Sequence, residues 1–215
     1  MLKLYDYGPS ANCFKARLVM GQLGIPYETV PVDLFAGETL TDEYLARNPA
    51  ARTPVLELET GETLPESNAI VLYLAEGTEL LPADPVERAR VLGWLFFEQN
   101  LLEPNVGTAT FWKLTGRSEE RPEAFAQRLE SGRDALAVLD RALTGRGFLV
   151  GDRYTVADLC LYAYSHKAPQ AGIDLKGYPA VAAWLARVEA TPGFVNDLAP
   201  YPPNAMAGAG ESVHG

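Results

Sequence analysis

The pattern of apolar residues changes near residue 77. The chain before this point alternates short β-branched runs with helical segments, whereas the segments after it have helical spacing. Residues 77–85, GTELLPADP, contain one glycine and two prolines, which is typical of a linker. The pattern therefore predicts an α/β domain over residues 1–76, an all-helical domain over residues 86–200, and a flexible tail over residues 201–215.

The first domain has the predicted order β-α-β-ββ-α. A short strand at 2–6 precedes a helix at 12–24, and Pro31 favours an edge position for the next strand, 27–34. A hairpin over 55–65 and a helix over 67–76 complete the domain. In such α/β units, ligands bind at the carboxyl ends of strands and at helix N-termini.

The second domain carries two informative helical patterns. The run VLGWLFFEQNLL, residues 91–102, is apolar nearly all round and predicts a buried helix. Thr155 and Asp158 have the spacing of a capping box, in which each side chain satisfies a backbone N–H at the start of a helix. Val181, Trp184 and Val188 recur on one face of the penultimate helix.

The net charge of the chain argues against two classes of binding partner. A formal net charge of -10 and a pI near 4.7 argue against a nucleic-acid binder, because such proteins need a basic face to displace counterions from phosphates. The same charge argues against an anionic membrane surface. The sequence has no apolar run long enough to span a bilayer, and its N-terminus lacks the apolar core of a signal peptide. We therefore expect a cytoplasmic protein.

The cysteines and histidines suggest neither a disulfide nor a metal site. Cys13 and Cys160 are far apart in sequence, and a structural disulfide is not expected in a reducing compartment. His166 and His214 have no helical i, i+4 partner and no neighbouring cysteine cluster. We expect no bound metal.

Four motifs resemble those of the soluble glutathione S-transferases, and together they span nearly the whole chain. They are YGPSANCFK (7–15), NPAARTPVLEL (48–58), LPESNAIVLYL (64–74) and GDRYTVADL (151–159). The resemblance implies a thioredoxin-like first domain, an all-α second domain and a homodimer. It also implies glutathione as a co-substrate, with no permanently bound cofactor.

The residue types at two of these motifs suit a tripeptide with a zwitterionic end. Ser67 offers a hydroxyl and a backbone N–H at a helix N-terminus, which favours a carboxylate, and Glu66 offers an acceptor for the ammonium. The resemblance places a cis-proline at Pro54, so that the backbone of Thr53 binds the cysteinyl part of glutathione. It further suggests Arg52 and Thr39 as contacts of the glycyl end.

The first strand–helix turn offers several groups that could stabilise a glutathione thiolate. Ser10 precedes the helix, and the pattern Ser-x-Asn-x-x-Lys resembles the first turn of the bacterial Nu class, in which a hydroxyl and an asparagine amide face the sulfur. Carried over by position, Ser10 and Asn12 form the donor pair. Tyr7 is a rival activator, Cys13 is expected to pack inward, and Lys15 provides either local positive potential or an outward charge.

We therefore predict a glutathione S-transferase that attacks a small electrophile, apolar or aromatic, with detoxification as its role. Tyr7, Phe111 and Trp112 are candidate contacts of that electrophile. The alternatives are a glutathione-dependent disulfide reductase and a non-catalytic interaction module of the same fold. The turn lacks the Ser-Ser-x-Ser-x-Arg pattern of the maleylacetoacetate isomerase-like members, which counts against that chemistry.

Overall fold

The computed structural model describes residues 1–209, which form two compact units. Unit 1 combines Met1–Leu74 with the described residues from Val195 on, and unit 2 is Ala75–Phe194. The sequence assigned the chain up to residue 200 to the helical domain, whereas the structure groups the segment from Val195 with unit 1. Of the tail predicted to be flexible, residues 210–215 lie outside the described residues.

Unit 1 contains a four-stranded sheet with the order β2-β1-β3-β4. Strand β1 pairs parallel with β2 and antiparallel with β3, and β3 pairs antiparallel with β4. Its elements are β1 (Leu2–Asp6), α1 (Ala11–Leu23), β2 (Tyr27–Pro31), α2 (Asp42–Arg47), β3 (Val55–Glu57), β4 (Thr63–Pro65) and α3 (Ser67–Ala75). The strand that carries Pro31 lies at the edge, as its missing N–H predicts.

The register of the sheet pairs buried side chains of neighbouring strands. Leu4 of β1 lies opposite Leu56 of β3, and both side chains are fully buried. Phe14 and Leu18 of α1 and Ile70 of α3 are also fully buried. Burying these apolar side chains stabilises the sheet and its helices, and it holds the ends of β1 and the starts of α1 and α3 in fixed positions.

The C-terminal segment of unit 1 contacts the turn between β1 and α1. Arg17 of α1 is at the centre of this contact. Its Nη1 is 2.6 Å from Asp6 Oδ1, its Nε is 3.0 Å from Asp197 Oδ2, and its Nη2 donates to Gly8 O. The backbone N–H of Ala199 also donates to Gly8 O. The buried ion pair of Arg17 with Asp6 and these hydrogen bonds hold the turn that leads to Ser10.

Unit 2 is helical, with a π-helical segment joining two α-helices. Its elements are α4 (Pro85–Phe97), the π-helical segment Glu98–Gly107, α5 (Thr108–Thr115), α6 (Pro122–Leu143), α7 (Val156–Ser165), α8 (Ala168–Ala171) and α9 (Pro179–Glu189). Pro104 lies inside the π-helical segment, where the missing proline N–H cannot continue an α-helical ladder. Within residues 1–209, no helix has both the length and the apolar character that crossing a membrane requires.

The prediction of a helix buried all round over residues 91–102 is wrong. Val91, Leu95 and Leu102 are buried, but Phe96 is 64% exposed and Leu101 is 46% exposed. Exposed positions recur at steps of three to five from Val86, 59% exposed, through Ala89, Gly93 and Phe96 to Leu101. Helical periodicity shows that a face is apolar, but only the packing of other elements determines whether that face is covered within the chain.

The start of α7 forms the predicted capping box around a buried aspartate. Asp158 accepts hydrogen bonds from the backbone N–H groups of Leu149 and Thr155, from the Thr155 hydroxyl and from the Trp184 indole. Burial raises the pKa of Asp158 to about 6, and these donors oppose that change. Trp184 belongs to α9, so this one carboxyl connects two helices and a loop.

His166, at the end of α7, gives unit 2 a defined response to acid. Its ring stacks on Tyr162, with ring centroids 4.6 Å apart, and its Nδ1 lies 2.8 Å from Tyr162 O. Burial lowers the pKa of His166 to about 4, and the positive charge of Lys167 acts in the same direction. The folded state therefore favours the neutral ring. The contribution of His166 to the free energy of unfolding is full above pH 6.5 and is lost as the pH falls towards 4.

We expect the His166→Phe variant to lose this pH dependence, because phenylalanine keeps the ring but cannot be protonated. The contribution of the wild-type ring amounts to roughly 2–3 kcal/mol between these pH limits. Chemical denaturation of wild type and variant at several pH values measures the difference in free energy of unfolding. Asp158 changes stability in the opposite direction in this range, and it is present in both proteins, so only the difference between them is informative. Parallel pH profiles would contradict the expectation.

Candidate active site

Ser10 caps the N-terminus of α1. Its Oγ accepts a hydrogen bond from Cys13 N at 3.3 Å, and its own N–H donates to Tyr7 O at 2.8 Å. The side chain is partly exposed. A serine hydroxyl that accepts at a helix start also carries a hydrogen that it can donate, so Ser10 combines a donor with the positive end of a helix dipole.

Asn12 and Ser67 lie in direct contact, although they are 55 residues apart. The Ser67 hydroxyl donates to Asn12 Oδ1 at 3.0 Å. Ser67 is the first residue of α3, and Asn12 is in the first turn of α1, so the N-termini of two helices meet here. Two helix N-termini and two polar side chains form a site suited to an anionic or zwitterionic ligand.

Lys15 is completely buried beside this contact. Its Nζ lies 3.2 Å from Asn68 Oδ1 and 3.5 Å from Ser67 Oγ. The outward orientation considered from the sequence is therefore wrong. The helical spacing of Lys15 with Ala11 and Leu18, both buried, is a signal that places the lysine on the inner face of α1.

Glu66 has an unusual backbone conformation immediately before this helix. Its φ angle is 73°, which lies in the left-handed region that non-glycine residues rarely occupy, and its side chain is exposed. Its carbonyl accepts from Ile70 N, which starts the ladder of α3. Strained residues of this kind concentrate at functional sites, and here the conformation leaves an accessible carboxylate next to Ser67.

The segment before β3 contains a cis peptide bond between Thr53 and Pro54, as the resemblance implied. The preceding carbonyl, Arg52 O, accepts from the Tyr44 hydroxyl at 2.9 Å and from Asn48 Nδ2 at 2.8 Å. Pro54 is buried and Thr53 is partly exposed. The backbone at Thr53 is therefore held from both sides, which makes its N–H and C=O suitable for binding a peptide-like ligand.

Cys13 lies beneath the first turn and is fully buried. Its sulfur accepts from the backbone N–H of Tyr7 at 3.4 Å. Burial, with a contribution from the nearby Asp6 carboxylate, raises the pKa of the Cys13 thiol to about 12. A thiol of this kind is protonated at neutral pH and does not act as a nucleophile.

Tyr7 is also buried, and its hydroxyl has no hydrogen-bond partner among the described residues. Its ring packs against Phe35, with centroids 6.1 Å apart. Burial raises the pKa of Tyr7, and the nearby Tyr201 and Asp33 act in the same direction. Tyr7 and the partly exposed Ser10 both stay candidate thiolate donors.

The remaining predicted contacts have different surroundings. Arg52 is exposed, whereas the Thr39 side chain is fully buried, which weighs against Thr39 as a contact of a ligand. Phe111 and Trp112 are in α5 of unit 2, where the guanidinium groups of Arg117 and Arg121 lie over their rings, at 5.0 and 5.4 Å from the ring centroids. These four roles stay predictions.

Sequence reasoning missed the part played by the C-terminal segment. Asp197 reaches Arg17, and the amide of Asn204 donates to Asp33 Oδ2 at 2.8 Å. Asp33 in turn accepts from the N–H groups of Phe35 and Ala36. No local spacing indicates these pairings, because they join residues that are 171 and 180 positions apart.

One class of glutathione-binding proteins is defined by a thioredoxin-like unit followed by a helical unit. The thioredoxin-like unit contains a cis-proline and two adjacent helix N-termini. The glutathione S-transferase N-terminal domain model matches residues 9–76, and the C-terminal domain model matches residues 104–192. The chain belongs to the glutathione S-transferase family. The predicted fold class, a thioredoxin-like domain followed by an all-α domain, is confirmed.

Individual relatives carry several different names. A maleylacetoacetate isomerase of Rhizobium meliloti is 38% identical over 84% of this chain and 87% of its own length. The disulfide-bond oxidoreductase YfcG of Escherichia coli is 31% identical over 89% of this chain and 92% of its own. The crystal structure of a glutathione S-transferase from Pseudomonas fluorescens Pf-5 has a TM-score of 0.90 at 44% identity, covering 92% of this chain and 99% of that chain.

Proposed function

We propose that this protein binds glutathione and stabilises its thiolate for attack on a small electrophile, apolar or aromatic. The observation that carries the proposal is the contact of Asn12 with Ser67, which joins the donor-bearing turn of α1 to the N-terminus of α3. This contact supports the proposal because the proposed thiolate donor Asn12 is adjacent to Ser67, the proposed contact of the γ-glutamyl group. The cytoplasm is the expected location, and glutathione acts as co-substrate.

The site offers a partner for each end of glutathione. The γ-glutamyl carboxylate binds the backbone N–H of Ser67 at the N-terminus of α3, because the Ser67 hydroxyl donates its one hydrogen to Asn12. The ammonium pairs with the exposed Glu66. The cysteinyl part hydrogen-bonds to the backbone at Thr53, and the exposed Arg52 is the candidate for the glycyl carboxylate. Ser10 and Asn12 then donate to the sulfur.

The thiolate must be stabilised by these donors because a free thiol is mostly protonated at neutral pH. Lowering its pKa by about two units requires roughly 2.7 kcal/mol, which two hydrogen bonds and a helix N-terminus can supply. The thiolate attacks the electrophilic carbon, its sulfur–carbon bond forms, and the leaving group departs with its electron pair. Ser10 retains its proton throughout.

Calorimetric titration with glutathione tests the binding proposal directly. We expect saturable binding to the wild type and a large loss of affinity in Glu66→Gln, because the ammonium then loses its charged partner. The matched control is Glu62→Gln, an exposed acid in the nearby hairpin. Absence of binding at millimolar glutathione would favour a non-catalytic interaction module of the same fold.

Two other reactions have specific support. The pattern Ser10-x-Asn12 and the similarity to YfcG favour reduction of a disulfide, in which the glutathione sulfur attacks sulfur instead of carbon. The similarity to maleylacetoacetate isomerase favours isomerisation of an unsaturated acid, although the turn lacks that group's pattern. Assays with a chloronitroarene, a small disulfide and maleylacetoacetate distinguish the three, and turnover of only one of the last two substrates would replace the transferase proposal.

We further propose that the protein forms a homodimer through the exposed apolar face of α4 and of the π-helical segment that follows it. This face presents Val86, Phe96 and Leu101, and an apolar surface of this kind is typical of an interface.

The Phe96→Glu variant buries a charge in the contact, so its dimer dissociation constant is expected to rise by about 100-fold or more. Light scattering after gel filtration measures the mass. Val138→Glu, at an exposed apolar position of α6, is the control, and a dimeric Phe96→Glu variant would exclude this face.

A further inference from the structure

The fully buried side chain of Lys15 is the least expected feature of the candidate site. Lysines are almost never completely buried, because removing an ammonium from water is costly unless other groups compensate. Two of its contacts are with the first two residues of α3: Nζ lies 3.2 Å from Asn68 Oδ1 and 3.5 Å from Ser67 Oγ. The lysine therefore connects α1 to the proposed glutathione site.

The chemistry of these groups sets the direction of the hydrogen bonds. An ammonium only donates, so Ser67 Oγ must accept from Lys15. The Ser67 hydroxyl then donates its own hydrogen to Asn12 Oδ1, at 3.0 Å. An amide that accepts through Oδ1 has Nδ2 as its donating end. The three residues form a chain in which the ammonium occupies one acceptor site of the Ser67 hydroxyl and favours donation from that hydroxyl to Asn12.

We propose that Lys15 is a positioning residue that acts through Ser67 to hold the Asn12 amide with its NH2 end presented to the glutathione sulfur. This inference rests on the proposed function, and it concerns how one of the two donors is oriented. Without the ammonium, the Ser67 hydroxyl can instead accept from Asn12 Nδ2. The amide then rotates with almost no change in volume, because its oxygen and nitrogen ends are nearly equal in size. Oδ1 would face the sulfur, and an acceptor there disfavours the thiolate.

The first test is Lys15→Met, which keeps most of the length of the side chain and removes the donor. The readout is the pKa of the enzyme-bound glutathione thiol. It is taken from the pH dependence of kcat/KM for the electrophile at saturating glutathione, and from the ultraviolet absorbance of the thiolate. We expect the profile to move about one pH unit higher, so that kcat/KM at neutral pH falls about tenfold. Lys15→Arg also only donates and is expected to restore the profile.

A matched control and a second variant separate this role from a structural one. Lys3→Met makes the same substitution at a partly exposed lysine paired with Glu57, and it should leave the thiol pKa unchanged. Ser67→Ala interrupts the chain at its middle and should raise the thiol pKa as well, without depending on the fold of the lysine variant. In the Ser67→Ala background, Lys15→Met should add almost nothing further.

The outcomes distinguish this inference from the function on which it rests. A wild-type protein that binds no glutathione would refute the proposed function itself. If the wild type binds glutathione and lowers its thiol pKa, an unchanged profile in Lys15→Met refutes only the positioning role. Full additivity of the Lys15 and Ser67 substitutions would refute it too, because residues in one chain of hydrogen bonds are expected to be coupled.

Discussion

Replacing Ser10 with alanine is expected to lower kcat for the transferase reaction by about 100-fold, because the thiolate loses a preorganised donor. The KM for glutathione should change much less, since the γ-glutamyl and cysteinyl contacts at Glu66, Ser67 and Thr53 are separate from the hydroxyl. The pKa of the bound thiol should rise in parallel with the loss in kcat. Steady-state kinetics over a range of pH measures all three quantities.

Ser10 also caps α1, so its removal affects stability as well as chemistry. Losing a serine cap costs about 1 kcal/mol, and the thermal unfolding of the variant measures that cost independently. Ser10→Thr keeps both the hydroxyl and the cap, and it should retain most of the activity. If Ser10→Ala retains its rate while Asn12→Ala loses it, the main donor is Asn12.

Replacing Asp158 with alanine is expected to destabilise unit 2 by about 3 kcal/mol or more, because several buried donors lose their acceptor at once. The affected groups are the N–H of Leu149, the N–H and hydroxyl of Thr155, and the Trp184 indole. All of them are buried with the aspartate, so water does not replace the lost bonds without further opening of the structure. Equilibrium unfolding in urea measures the change.

Two comparisons identify the cause of this loss. Asp134→Ala removes an exposed aspartate from α6 and should leave the free energy of unfolding nearly unchanged. Trp184→Phe removes only the indole donor and should cost less than Asp158→Ala, together with a packing contribution. An Asp158→Ala variant as stable as Asp134→Ala would mean that the capping box does not hold α7 and α9 together.

Local patterns in the sequence predicted most of the fold. Pro31 indicated the edge strand, the segment 55–65 indicated the hairpin, and Thr155 with Asp158 indicated the start of α7; the structure has all three features. These features depend on a missing N–H, a turn or a cap, which are properties of a few neighbouring residues. Such properties can be read from a single sequence.

The candidate site was only partly predictable. The two motifs around Ser10 and Ser67 were identified, but their direct contact through Asn12 was not, because no spacing rule relates residues 55 positions apart. The sequence is compatible with two orientations of Lys15, and only the structure shows that Ala11, one turn before it, is on a buried face. The support that Asp197 gives to Arg17 could not be predicted at all.

By itself, the sequence determined the family, the two kinds of domain and the groups available for thiolate chemistry. These depend on residue type and short-range order, which the covalent chain already contains. The tertiary structure decided that Cys13 and Lys15 are buried, that Asn12 accepts from Ser67, and that Phe96 is exposed. Burial and long-range hydrogen bonding depend on which segments pack together. Burial raises the pKa of a thiol, and it increases the free-energy cost of a charged group by several kcal/mol. The roles of identical side chains therefore differ with their surroundings.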